Sequence, residues 1–431
     1  MLAFAILAAL VLLIAMGVPV AVALGLTAAG FYVLSGDWHI LAMLPQRMFS
    51  ATTAFTLLAI PFFILAGNLM NTGGITQRIF RFANACVGHI RGGLGQVNVV
   101  ASLIFSGMSG AAVADAAGLG QVELKAMADR GYDPEFSAAI TAASSTIGPV
   151  FPPSIPFVLY SSITGVSVAK LFLAGVVPGL LMALALMIAV WFVAWRTDMP
   201  REERAPLGEV ARSFLDSLLS LLAPVIIIGG IFSGVFTPTE AGVAACAYAL
   251  VLSMVVYREL KPADLPGILW STLLHTIRVM FVIASAGFFG WLLVHQRVPN
   301  ALIEGLLGLT TSPAVLLAII VLVLLILGMF LEGIAVIVLT VPLFLPVVLE
   351  VGVDPVQFGV IMILCSMVGL LTPPVGMVLF AISSISGLAV GRLSRALTPY
   401  LIGLMVVVVL VTYWPALSTA LPTAIMGPGR S

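Results

Sequence analysis

Charge is scarce in this sequence. Asp, Glu, Lys and Arg make up 8% of its 431 residues, against 61% hydrophobic residues and a mean hydropathy of +1.21, where a soluble domain carries about 25% charge. A water-soluble globule is excluded. No polar block between the apolar stretches is large enough to build its own core, which excludes an appended catalytic or nucleotide-hydrolysing domain. Eighteen basic side chains cancel eighteen acidic ones, so no cationic surplus is available to hold a nucleic acid. Cysteine is rarer still. Cys86, Cys246 and Cys365 lie far apart in apolar surroundings without CxxC spacing, the pattern of buried free thiols. The four histidines, His39, His89, His275 and His295, do not cluster at metal-ligand spacing and read as interfacial packing. The first sixteen residues lack both a basic leader and an A-x-A-like site, so they read as a retained helix.

What the chain has instead is apolar length. Spans near the roughly 20 residues that cross a bilayer fall at about 2–16, 18–34, 53–70, 137–164, 171–195, 215–232, 241–257, 268–294, 358–386 and 398–417. The first two are short and read as tilted or joined. Two further segments, about 94–120 and 313–349, are interrupted by SGMSG (106–110) and GMFLEG (328–333), as expected of hairpins that enter the membrane and return.

The sequence also repeats itself. Asp133-Pro134 recurs as Asp354-Pro355, Gly148 as Gly369, Pro152-Pro153 as Pro373-Pro374, Pro178 as Pro399 and Gly107-Met108 as Gly328-Met329, always 221 residues apart, for example 354 minus 133. A duplication follows, with halves of about 1–200 and 201–431 joined by the charged segment 196–216. Thirteen of the eighteen Lys and Arg residues fall in 71–92, 121–136, 196–214, 258–264 and 387–397, which makes those segments cytoplasmic. That assignment holds only if both interrupted segments are re-entrant, one from each side, so the halves are inverted. The expected fold is an all-α polytopic membrane protein of two inverted repeats, each with a re-entrant hairpin and a broken helix, the layout of secondary transporters.

Helix-breaking sequence at membrane depth survives only where protein or a polar cavity satisfies the freed backbone. Four such breaks are present: SGMSG, SSTIGPVFPPS (144–154), GMFLEG and GLLTPPVG (369–376). Exposed carbonyls there can hold a cation, and half-helix N-termini an anion, which points to two cation sites flanking one anion site. The plainer reading is that Pro and Gly kink these helices while Ser and Thr bond back to the preceding turn; doubled prolines at matched positions favour the first. Ser106, Ser109, Ser144, Ser145 and Thr372 stand at the breaks. Three acids, Asp115, Glu240 and Glu332, fall within or beside apolar spans, where an unpaired carboxylate is costly. Glu240 reads as a helix start, with Thr237 or Thr239 near the cap.

In FTLLAIPFFILAGNLMNTGGI (55–75), GHIRGGLGQVNVVASLIFSGMSGAAVADAAGLG (88–120), RGYDPEFSAAITAASSTIGPVFPPSIPFVLYSS (130–162), LFLAGVVPGLL (171–181), GVFTPTEAG (234–242) and LLTPPVGMVLF (370–380), the chain resembles the large membrane subunit of tripartite ATP-independent periplasmic (TRAP) transporters along its whole length. The resemblance implies an elevator-type transporter in the bacterial inner membrane, with hairpins and broken helices as the transport domain and the outer helices as scaffold. It implies sodium-driven uptake of an organic acid, with Na+ as coupling ion and no other cofactor. It also implies two partners, a small four-helix membrane subunit on a separate chain and a periplasmic substrate-binding protein. By position, Ser106, Ser109, Gly110, Ser145 and Gly148 match the first sodium-binding region, and Gly328, Glu332, Gly369 and Thr372 the second. Pro152, Pro153 and Ser154 match the motif beside the substrate, and Asp115 is grouped with them. Glu332 stands where relatives usually carry Asp. Two alternatives compete: a stand-alone sodium/carboxylate symporter and an intramembrane hydrolase using Asp115 and Glu332.

Overall fold

The computed structural model describes residues 2–109, 112–197, 199, 203–310 and 312–427, and every regular element among them is helical. α1 (Leu2–Ala15) and α2 (Val20–Leu34) are separate helices, divided at Gly17, whose φ of 83° suits a residue without Cβ. Short α3 (Leu44–Thr52) precedes a 3-10 turn that runs into α4 (Ala59–Thr72). α5 (Ile75–Val87) occupies a stretch that the sequence reading treats as loop. It buries Ile75, Ile79 and Ala83 on one stripe and exposes Gln77 and Arg81 on the other, so it is a helix by periodicity rather than by hydropathy.

The first hairpin has an outgoing arm, α6 (Leu94–Ser109), and a returning arm in two pieces, α7 (Ala112–Ala117) and α8 (Leu119–Asp129). The first broken helix follows as α9 (Pro134–Ser144), a 3-10 turn at Ser145–Ile147, and α10 (Ile155–Thr164). Asp133 caps α9 by accepting from the Phe136 N–H at 3.0 Å. α11 (Val168–Arg196) leads to the charged connection, after which come α12 (Leu207–Phe232), α13 (Pro238–Val251), α14 (Leu265–His295) and α15 (Val298–Leu309). Thr237 and Glu240 form a reciprocal capping box at the start of α13, with bonds of 2.7 Å and 3.3 Å, the role expected of Glu240. The second hairpin is α16 (Pro313–Phe330) and α17 (Gly333–Glu350), turning at Leu331-Glu332. The second broken helix is α18 (Pro355–Gly369) and α19 (Met377–Ser386), with Asp354 capping α18 at 2.7 Å; α20 (Val390–Tyr413) and α21 (Ala416–Met426) complete the chain.

Among the described residues, eight helical segments are long and apolar enough to cross a membrane. The pieces of the broken helices cross only in sum, at 11 and 10 residues in the first and 15 and 10 in the second. Both arms of the second hairpin are 18 residues long. Beyond their first residues, α9 and α18 are buried on every side, Phe136 to Ser144 and Val356 to Gly369, and form the centre of the core, while α11, α12, α14 and α20 turn Leu184, Ile188, Leu215, Trp270, Ile277 and Ile402 outward. That inverts the rule for soluble proteins and fits helices solvated by lipid. Small residues let these helices approach closely: a Cβ on Gly242 of α13 would lie 2.9 Å from Phe62 of α4. Nearby the Cys246 thiol donates to the Phe62 carbonyl at 3.0 Å. All three cysteines are free, but Cys86 on α5 is only half-buried, contrary to expectation, because one side of that helix faces outward.

Below the core, α5 is clasped to the segment after α13. Arg78 pairs with Glu259 at 2.7 Å and lies over the Tyr257 ring at 3.7 Å. Gly74 leaves room for the Glu259 carboxylate, which a Cβ would meet at 1.6 Å.

Candidate functional site

Each hairpin packs against the leading piece of the broken helix that follows it, and against the trailing piece of the other broken helix. α6, α7 and α8 meet α9 and its 3-10 turn, and α7 also meets α19; α16 and α17 meet α18, and α17 also meets α10. The breaks are thereby drawn together from opposite halves of the sequence. The Tyr160 hydroxyl on α10 donates to the Pro355 carbonyl at the start of α18 at 2.6 Å. Its ring fills the space over Gly359, where a Cβ would meet it at 2.7 Å.

At the first break, Gly148 lies against Asp115: a Cβ on Gly148 would be 2.3 Å from Asp115 Oδ2. Asp115, grouped in the sequence with the substrate motif, is thus placed beside Gly148, buried at 3% exposure. Ser106 and Ser145 are buried too, and each hydroxyl donates to the carbonyl three residues back, at 2.5 Å and 2.9 Å. A hydroxyl whose hydrogen is spent on its own helix presents only lone pairs outward, which is what a hard cation needs. Gly110 and the side chain of Ser109 lie outside the described residues. Pro152 and Pro153 are joined by a cis peptide bond and buried. Ser154 donates to the Pro149 carbonyl and caps α10 by accepting from the Phe157 N–H at 3.3 Å. Its hydroxyl is committed, so toward an anion Ser154 acts by holding the N-terminus of α10 in place. Gly175 and Gly179 of α11 admit the break, since Cβ atoms there would meet the Val150 carbonyl oxygen at 2.3 Å and Phe151 at 3.0 Å.

At the second break the contact is backbone on backbone. A Cβ on Gly369 would lie 2.5 Å from the Gly328 Cα and 2.6 Å from its carbonyl carbon, and the Gly376 N–H donates to the Met329 carbonyl at 2.9 Å. Thr372 donates to the Val368 carbonyl at 2.7 Å, again leaving its lone pairs outward. Pro373 and Pro374, also joined in cis, are exposed, as is Glu332, the residue that opens α17. The Arg278 guanidinium on α14 lies within electrostatic reach of Glu332. The structure therefore brings Gly328, Gly369 and Thr372 together, with Glu332 at the adjoining turn.

Sequence reading missed a polar cluster behind the first break. Asn98 on α6, fully buried, donates to Thr141 Oγ1 at 2.8 Å and accepts from Ser144 Oγ at 2.5 Å. It also bonds the carboxylate of Glu123 on α8, itself 1% exposed. Glu123 escaped notice because Lys125, Asp129 and Arg130 make its surroundings look like a loop. The available signal was spacing, for Leu119, Glu123 and Met127 are buried together at intervals of four. A cavity of about 600 Å³ also exists, between α5 and the start of α12, lined by Arg81, Asn84, Glu209, Arg212 and Asp216 of mixed sign.

The DctM-component model of the tripartite ATP-independent periplasmic transporters matches residues 7–417. The chain is 44% identical to the sialic acid TRAP transporter large permease protein of Vibrio cholerae, covering 96% of this chain and 97% of that one. It is 42% identical to the C4-dicarboxylate large permease of Pseudomonas aeruginosa (90% and 93% covered) and 39% to the 2,3-diketo-L-gulonate large permease of Escherichia coli (94% and 95%). Among solved structures, the Alcanivorax borkumensis YdaH transporter shares the fold, with a TM-score of 0.59 at 14% identity over 89% of each chain.

Proposed function

Since the chain belongs to the DctM-component family of tripartite ATP-independent periplasmic transporters, and so is a multi-pass inner-membrane permease rather than an enzyme, we propose that it carries an organic acid inward, driven by sodium. The observation that carries this reading is the pairing of each hairpin with a broken helix, where Gly148 and Gly369 hold a carboxylate and a backbone in close contact. Sodium seats at both breaks, and the substrate carboxylate lies between them against the N-terminus of α10, beside Pro152, Pro153 and Ser154. The two halves are inverted repeats, and the hairpins with the broken helices move together as an elevator against the outer helices. Relatives of nearly equal identity are named for three different acids, so similarity supports a carboxylate as the class and favours no single member. A small membrane subunit on a separate chain and a periplasmic capture protein complete the system.

The test is uptake into proteoliposomes holding this chain and the small subunit, with the capture protein outside loaded from a panel of organic acids. Uptake of a captured acid under an inward sodium gradient, lost when potassium replaces sodium, is the expected result. Uptake indifferent to sodium would remove the coupling, and full uptake by this chain alone would remove the partners.

A further inference from the structure

The cluster behind the first break contains a charge that its neighbours do not satisfy. Glu123 is buried, one carboxylate oxygen is bonded to Asn98, and the other, Oε1, has no hydrogen-bond partner. An unpaired carboxylate oxygen without water is among the costliest things a core can hold. The charged side chain facing Glu123 is Asp115, another acid; its polar neighbour from α6 is Asn98, which is bonded in turn to the hydroxyls of Thr141 and Ser144 on α9. Packing does not demand this acid. Counting 221 residues on, Asn98, Glu123, Thr141 and Ser144 correspond to Ile319, Phe344, Met362 and Cys365, and α17 packs on α18 there as α8 packs on α9. Where apolar side chains fill the equivalent place, a carboxylate retained in the other half calls for a ligand.

We propose that Glu123, anchored by Asn98, is a seat for one further monovalent cation, in addition to the positions at the two breaks. The oxygens around the seat are the free Oε1 of Glu123 and the carbonyl oxygen of Asn98, which is itself bonded to Ser144. That set suits sodium or a proton and lacks the nitrogen and sulfur donors of a transition metal. Ser144 directly precedes Ser145, so occupancy of the seat bears on the last turn of α9, where the first break begins.

The inference rests on sodium coupling but can fail separately from it. The probe is sodium itself: radioactive 22Na+ bound per chain by the purified protein with its small subunit, at pH 6 and pH 8 as about one unit either side of neutrality, for wild type, Glu123→Gln and Glu123→Asp. If sodium fills the seat, Glu123→Gln binds one ion fewer than wild type at both pH values, and Glu123→Asp keeps the count at weaker affinity. If a proton fills it, sodium counts match, and the infrared carbonyl band of a protonated carboxylic acid is present in wild type and missing in Glu123→Gln. Equal sodium counts without such a band overturn the seat while sodium-driven uptake stands. Should neither variant fold, a wild type that binds only two sodium ions and shows no acid band overturns it equally. A wild type that binds no sodium sinks the coupling as well.

Discussion

At the first break, side chains join hairpin to helix, as Asn98 reaches Thr141, Ser144 and Glu123 and Asp115 lies on Gly148. At the second, Gly328 lies directly on Gly369 and the bonds are main-chain. Pro152 and Pro153 are sealed in; Pro373 and Pro374 are open. One sequence pattern at one offset has therefore been closed by two chemistries. Directional bonds fix a geometry even when individual contacts loosen, at the cost of burying groups that must all be satisfied. Glycine contact avoids that burden but tolerates no added atom. The two breaks should accordingly fail in different ways.

The largest effect is expected from Gly369→Ala. Its Cβ would enter backbone rather than a movable side chain, an overpacking of about 3 kcal/mol; uptake should fall roughly a hundredfold at normal membrane insertion. Near-normal uptake would show that the glycine contact is incidental. Asn98→Leu should come next, removing the bonds to Thr141 and Glu123 and leaving Ser144 only the Thr141 carbonyl at 3.2 Å, at a cost of about 2 kcal/mol, read as a lower unfolding temperature. The control, Gln357→Leu, removes bonds to the Val411 and Thr412 carbonyls of α20 at 3.3 Å and 3.0 Å. It should lower stability while leaving sodium dependence alone. If Asn98→Leu is as stable as wild type, the first break is not held by its side chains.

Thr372→Ala and Ser106→Ala remove one proposed oxygen from each cation region. Each should raise the sodium concentration for half-maximal uptake about tenfold, equivalent to about 1.4 kcal/mol. A shift in one variant only would assign cation binding to one break; none in either would leave both as structural kinks. The smallest effect is expected from Arg78→Ala. Its pair with Glu259 is partly exposed, at 23% and 38%, and such pairs contribute about 1 kcal/mol or less. A fall in transport larger than the fall in stability would show that the clasp takes part in the motion.

What could be read from the sequence divides along a physical line. Breaks and the Thr237–Glu240 cap were legible, because such residues act on the backbone next to them; Asp133 and Asp354, visible in the sequence as a repeat, cap α9 and α18. Structures that depend on a distant partner were not. Glu123 and Asn98 become a cluster only when α8 folds back along α6. α5 was read as loop because Arg78, Arg81 and Gln77 lower its mean hydropathy below that of a span, although its buried stripe keeps helical spacing. α3, α15 and α21, at 9, 12 and 11 residues, are too short for a hydropathy window to separate from their surroundings. The contact of Asp115 with Gly148 was hidden as well, since linear distance could not show that the returning arm brings the two together.

Tyr160 ties the two halves of the sequence together. In the elevator motion proposed above, a carriage sliding through a bilayer experiences shear, and two half-bodies would slip past each other along their common seam unless something crossed it. The Tyr160 hydroxyl on the Pro355 carbonyl, with its ring seated over Gly359, works as a dowel across that seam. It joins the trailing piece of one broken helix to the leading end of the other, so under the proposed motion a displacement imposed on one half would be delivered to its counterpart without lost motion.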